Sequence, residues 1–284
     1  MKEIIIHLSC PDQKGIIAQF THELYQHKVN IISLEQHLEP YENIFFMRIH
    51  ADISKVDKSS NQLFKIIDEF KQKFEAEINY YDYLKPMNIA ILCTKEEAPV
   101  LEIVRKQKSG ELNCNIPLII SNHNNVYELA NRYNIQYSHL PIDDNNDKKS
   151  QELNILDLLS KHKIDLVVLA RYMQILSPNF IKTYPNKIIN IHHGFLPAFK
   201  GGKPYHRAWE KGVKMIGATA HYVTKDLDEG PIIEQDIESV THHDSIDQLI
   251  EIGRDIERKV LLRAVKAHLN HKILIHNKRT IIFH

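Results

Sequence analysis

No stretch of 18 or more apolar residues occurs in the 284-residue chain, so nothing in it is expected to span a bilayer as a helix. Near the N-terminus the apolar core Ile4 to Ile6 is far too short for a secretory h-region. Cysteine is scarce: Cys10, Cys93 and Cys114 are odd in number and widely spaced, which argues against a disulfide framework and suits a reducing cytoplasmic setting. Excess charge is lacking too. Lys and Arg total 36, Asp and Glu total 36, and the balance excludes a global field that would draw in nucleic acid or an anionic membrane. There is no internal repeat and no low-complexity tract. What remains is ordinary globular composition, 43% hydrophobic and 25% charged, in a length that fits one large domain or two ordinary ones.

The pattern changes near Lys85-Pro86. Before it, an apolar strand over Glu3 to Leu8 leads through Pro11-Asp-Gln-Lys-Gly15 into an amphipathic helix from Ile16 to Gln26. Strands are predicted over Val29 to Leu34 and Ile44 to His50, and a second helix carries Leu63, Ile66, Ile67 and Phe70, with Ser59 or Ser60 as its cap. A strand over Ile78 to Tyr83 completes a βαββαβ unit, a ferredoxin-like antiparallel sheet with two helices on one face. After it, strands at Asn88–Cys93, Pro117–Ser121, Gln136–His139, Leu166–Ala170 and Ile188–Ile191 alternate with helical stretches at Val100–Arg105, Val126–Arg132 and Leu153–Lys161. That alternation predicts an α/β, Rossmann-like and mostly parallel sheet. Asp143 to Ser150 reads as an exposed loop, and two C-terminal segments, Lys272 to His276 and Thr280 to Phe283, as a hairpin.

Three segments carry chemistry. Asn190 and His192 stand at i and i+2 at the end of a strand, so an amide and an imidazole face one side, suited to a carbonyl oxygen that gains charge. Gly194 and Pro197 then turn the chain away, leaving the pair at the carboxyl end of the sheet, where open α/β folds bind ligands. The segment His221 to Pro231 is a strand, an acidic loop and a Gly-Pro turn, and Asp228 on that loop can hold water or sustain a histidinium. In the third, a buried strand ends in Met173-Gln-Ile-Leu176, an apolar clamp for a flat heteroaromatic ring. Singly, each also reads as a satisfied polar pair, a solvated turn or core packing.

In fixed order, LARYMQILS, NIHHGFLPAF and HYVTKDLDEGPII resemble the formyltransferase fold over roughly residues 87 to 270. The resemblance implies that Asn190, His192 and Asp228 are catalytic. It also implies that Met173, Gln174, Ile175 and Leu176 line the folate pocket with Val223, Thr224, Lys225, Asp226 and Leu227. Transformylases of purine synthesis hold a substrate phosphate on a glycine-rich loop after the first strand, whereas here that loop reads Thr94-Lys-Glu-Glu-Ala-Pro99. It has no glycine and offers two carboxylates. The run from His193 to His206, with His193 where the transformylase has proline, instead resembles the formyltetrahydrofolate deformylase family, although that family commonly has serine at Gly194.

The N-terminal segments Cys10-Pro-Asp-Gln-Lys-Gly-Ile-Ile and His27-Lys-Val-Asn-Ile are similar to an ACT domain. The resemblance implies an ACT regulatory domain over residues 1–84 and a formyltransferase-fold catalytic domain over 85–284. It implies an amino-acid effector, glycine or methionine, near Asp12, Gly15 and Asn30, and a homo-oligomer built through paired ACT domains. The alternative is a domain used for oligomer contacts alone. The implied reaction is hydrolysis of 10-formyltetrahydrofolate to tetrahydrofolate and formate in the cytoplasm, balancing the one-carbon folate pool and supplying formate for purine synthesis. No cofactor and no metal are expected, and neither nucleic acid nor a membrane is expected as a partner.

Rival readings are a formyl transferase acting on an amine, a metal hydrolase and an inactive amino-acid sensor. The missing phosphate loop weighs against the first. The 18 histidines suggest the second, but their spacing matches no strong zinc pattern. The third sits badly with Asn190, His192 and Asp228 all being present.

Overall fold

The structure is a computed structural model that describes residues 2–56, 62–142, 147–197 and 204–284. The expected Ser59 or Ser60 cap and the residues Ala198 to Lys203 lie outside the described residues. The chain divides into two compact units: residues 1–85 with 270–274 and 281–284, and residues 86–269 with 275–280.

In the first unit, β1 (Glu3–Pro11), α1 (Ile16–Gln26), β2 (Asn30–Glu39), β3 (Ile44–Asp52), α2 (Gln62–Phe74) and β4 (Glu77–Asp82) follow the expected order. The sheet order is β2-β3-β1-β4, and its neighbours pair antiparallel. Ile4, Ile6 and Leu8 alternate onto the helix-covered face, where they are buried with Phe20, Leu24, Ile67 and Phe70. The C-terminal hairpin, β12 (Ile273–His276) and β13 (Arg279–Ile282), has the two strands expected. Its Leu274, together with Phe283, is buried against Phe46 of β3. Buried Arg48 donates from Nε to the His271 carbonyl at 2.8 Å and from Nη2 to that of Asn270 at 3.0 Å.

The second unit is built on β5 (Met87–Cys93), β6 (Cys114–Ser121), β7 (Gln136–His139), β8 (Leu166–Ala170), β9 (Ile188–His192), β10 (Met215–Tyr222) and β11 (Ile232–Ser239). Their order is β11-β10-β9-β8-β5-β6-β7, parallel from β9 to β7 and antiparallel where β10 meets β9 and β11. Leu166 to Ala170 is buried throughout, as an apolar strand covered on both faces must be. Helices α3 (Ala98–Lys108), α4 (Tyr127–Arg132) and α5 (Lys148–Lys161) supply the expected crossovers, but α5 begins at Lys148, inside the expected loop from Asp143 to Ser150, of which residues 143–146 lie outside the described residues. Asp147 caps α5, its carboxylate accepting from the Ser150 N–H at 2.7 Å.

Three further helices, α6 (Pro178–Thr183), α7 (Pro204–Glu210) and α8 (Ile246–Leu269), have no counterpart in the sequence reading. The longest, α8, packs on β9, β10 and β11, and buries Leu249, Ile256, Val260 and Ala264. Glu257 interrupts that apolar stripe and is itself buried.

Candidate active site

The site is assembled at the junction of β9 and β10. In the antiparallel register Asn190 lies opposite His221, and His192 opposite Thr219. Asn190 Nδ2 is 3.3 Å from His221 Nε2, and His221 Nδ1 is 3.0 Å from the Tyr222 carbonyl. A carbonyl only accepts, so Nδ1 carries the proton, and Nε2 accepts from the Asn190 amide. Beyond His192, Thr219 pins the departing chain: its hydroxyl accepts from the Leu196 N–H at 3.0 Å and donates to the Gly194 carbonyl at 2.9 Å. The turn from Gly194 to Pro197 is thereby held against β10.

Asp228 is carried by the loop between β10 and β11, in a left-handed conformation with φ 55° that aspartate tolerates better than most residues. The loop closes tightly at Gly230, where a Cβ would stand 1.7 Å from the Tyr222 carbonyl oxygen. Asp228 Oδ2 is 3.3 Å from His192 Nδ1, and Oδ1 is 3.6 Å from His221 Nε2. The second distance is too long for a hydrogen bond. His192 beside it holds the Asp228 carboxyl well below the usual carboxylate range. On the other side of the ring, His192 Nε2 is buried and has no hydrogen-bond partner among the described residues. A buried polar atom left without a partner costs about 1–3 kcal/mol, so it is a place where a ligand is strongly favoured.

Asn190, His192 and Asp228 line one cavity of about 230 Å³ together with Met173, Gln174, Ile175, Leu176, Val223, Thr224, Lys225, Asp226 and Leu227. Leu176 is buried beneath the cavity, while Met173, Ile175 and Leu227 stay exposed as apolar jaws. The segment from Met173 to Leu176 is held from below, where Glu152 accepts from the Ser177 N–H at 2.9 Å.

Sequence reasoning assigned no role to His221, His193 or Arg171, which also line the cavity. His193 stacks near His192, with ring centroids 5.3 Å apart. Burial, then the neighbouring His192 and Arg171, pushes the His193 imidazole down to about 4, so it is neutral at pH 7. The signal for His221 was its place at the head of the third motif. Its pairing with Asn190 is set by a strand contact between residues distant in sequence. Among the described residues, no group of three or more His, Cys, Asp or Glu side chains is arranged to hold a metal ion.

In the first unit, Asp12 and Gly15 line a separate cavity with Ile16, Gln36, His37 and Phe45. Asn30 is outside it, at the start of β2 opposite Asp52 of β3. No helix among the described residues is long and apolar enough to cross a membrane.

A strand-end Asn and His with an Asp on a facing loop, beside an apolar cleft in a mostly parallel sheet, define a protein of the formyl transferase class. Residues 87–265 match the formyl transferase domain family, and residues 4–68 match the ACT domain family. A formyltetrahydrofolate deformylase of Synechocystis sp. is 47% identical, over 97% of this chain and 96% of its own length. That of Bacillus subtilis is 44% identical, over 97% of this chain and 92% of its own. The crystal structure of a formyltetrahydrofolate deformylase from Pseudomonas syringae superposes with a TM-score of 0.95 at 36% identity, covering 100% of this chain and 95% of the other. The chain belongs to the formyltetrahydrofolate deformylase family.

Proposed function

We propose that the chain hydrolyses 10-formyltetrahydrofolate to tetrahydrofolate and formate, without a metal or other cofactor. The observation that carries this reading is the buried, unpartnered Nε2 of His192, backed by Asp228 through Nδ1. The pterin enters between the exposed Met173, Ile175 and Leu227 and packs against the segments Met173 to Leu176 and Val223 to Leu227. The formyl oxygen then accepts from Asn190 and from protonated His192, which stabilise the oxyanion as water attacks the formyl carbon. Asp228 sustains the histidinium and orients the water. The C–N bond breaks as the nitrogen takes a proton from His192 or through water. The products are the secondary amine of tetrahydrofolate, formate and one proton.

Water, rather than a phosphorylated amine, is favoured by the loop after β5. Its Glu96 is ion-paired to Arg254 at 3.0 Å and would set a carboxylate against a phosphate. On this reading the enzyme is cytoplasmic, balances the one-carbon folate pool and supplies formate for purine synthesis. Residues 1–84 act as the ACT regulatory domain, and residues 85–284 form the catalytic domain. The ACT domains pair into a homo-oligomer and bind glycine or methionine near Asp12 and Gly15; the sequence resemblance adds Asn30 to that site. Equimolar release of tetrahydrofolate and formate by the purified protein tests the activity. A shift in melting temperature with either amino acid tests the effector site, and no shift with either contradicts it.

A further inference from the structure

A cluster of charged and polar groups stands behind the histidines, and the steps above do not use it. Arg171 follows β8 in a left-handed conformation, φ 56°, and lines the cavity. Its Nη1 is 3.4 Å from Oε2 of Glu257 on α8, with side-chain exposures of 19% and 2%. Tyr205 on α7 donates its hydroxyl to the other oxygen of Glu257 at 2.6 Å. Glu96 and Arg254, the other charges acting on Glu257, are paired with each other. Arg171 is therefore held from behind by a carboxylate that is itself fixed by a tyrosine. A guanidinium has five N–H donors in a planar fork. Among the described residues, its side chain is engaged through Glu257 alone. The remaining donors are available to the cavity, beside the neutral His193.

Hydrolysis differs from formyl transfer in what it leaves behind. Water adds a second oxygen to the formyl carbon, and that carbon departs as a planar, two-oxygen anion. Such an anion matches the guanidinium fork in shape and charge. We propose that Arg171 binds the carboxylate product of the reaction, formate, with Glu257 and Tyr205 as the residues that position it. The inference rests on the hydrolytic reading of the same cavity. Because Glu257 already offsets part of the charge, Arg171 grips formate loosely enough for release.

The test is inhibition by sodium formate, with sodium chloride at matched ionic strength as control. Formate is expected to slow wild-type turnover, and Arg171→Gln to raise its inhibition constant about tenfold or more. Arg171→Lys should fall between the two, and tetrahydrofolate affinity should stay unchanged throughout. If Arg171→Gln does not fold because it strands the Glu257 carboxylate, Arg171→Gln/Glu257→Gln replaces the ion pair with neutral amides and is read the same way. An unchanged formate constant in a folded variant overturns the inference, as does wild-type inhibition no greater than that by chloride. A wild-type protein that does not hydrolyse the formyl folate overturns the functional reading itself.

Discussion

Asn190 and His221 face each other across β9 and β10, and the amide nitrogen of Asn190 donates to Nε2 of His221 at 3.3 Å. The Tyr222 carbonyl fixes the tautomer that makes His221 an acceptor. His221 thus sets which way the Asn190 amide points. His221→Ala should lower kcat by about tenfold, the worth of one hydrogen bond of roughly 1.4 kcal/mol, and leave KM for the folate nearly unchanged. His221→Gln, which keeps an acceptor, should recover part of the loss. Equal falls in affinity and turnover would show that His221 touches substrate instead.

His192→Ala and Asp228→Asn bear on the chemistry directly. Each should cut hydrolysis by about 10²–10³ or more while tetrahydrofolate still binds, because the pterin is proposed to pack on other residues of the same cavity, Met173 to Leu176 and Val223 to Leu227. Turnover near wild type in either variant would contradict the assigned roles.

Much of this site was legible because its residues cluster in short motifs at strand ends. Strand periodicity puts Asn190 and His192 on one face, whereas the choice of Asp228 among the acids of its loop, like the catalytic role of all three, came from the resemblance of the three motifs to the formyltransferase fold. The partners that orient them were not legible. Glu257 is 86 residues beyond Arg171, on a helix whose apolar stripe includes a charged residue, and only the packed fold shows that charge to be paired. Strand boundaries failed for a related reason. The sequence reading ends the second strand at Leu34, yet β2 runs to Glu39 because β3 supplies partners as far as Ile44. The C-terminal hairpin was visible from its apolar segments, whereas its packing on Phe46 joins residues over 200 positions apart.

Gly230→Ala tests how tightly the Asp228 loop is closed. A Cβ 1.7 Å from the Tyr222 carbonyl oxygen forces the backbone apart. The expected cost is about 1–3 kcal/mol of stability, with at least a tenfold fall in turnover as Asp228 leaves His192. An unchanged melting temperature and full activity would contradict the tight closure.

Acid should destabilise the fold in two windows. Burial pushes the imidazoles of His7, His193 and His268 from 6.5 down to about 4. Between those values the unfolded chain binds more protons, so stability is complete above pH 6.5 and is lost as pH falls through 4. Each histidine adds a slope of up to about 1.4 kcal/mol per pH unit. Asp228, whose carboxyl is lowered, contributes stability that is present above about 3.8 and is lost only below it. The melting temperature should therefore fall between pH 6.5 and pH 4, and His268→Gln, which keeps a partner for the Tyr222 hydroxyl, should flatten the slope. A flat profile across that range would contradict the burial of these rings as neutral groups.

The most direct test of the central claim is an assay of purified protein on 10-formyltetrahydrofolate with a chelator present and no amine acceptor. Steady, equimolar release of tetrahydrofolate and formate is the predicted result. No turnover until an amine is added would make the chain a transferase, and activity lost to the chelator and restored by metal would contradict a mechanism resting on Asn190, His192 and Asp228 alone.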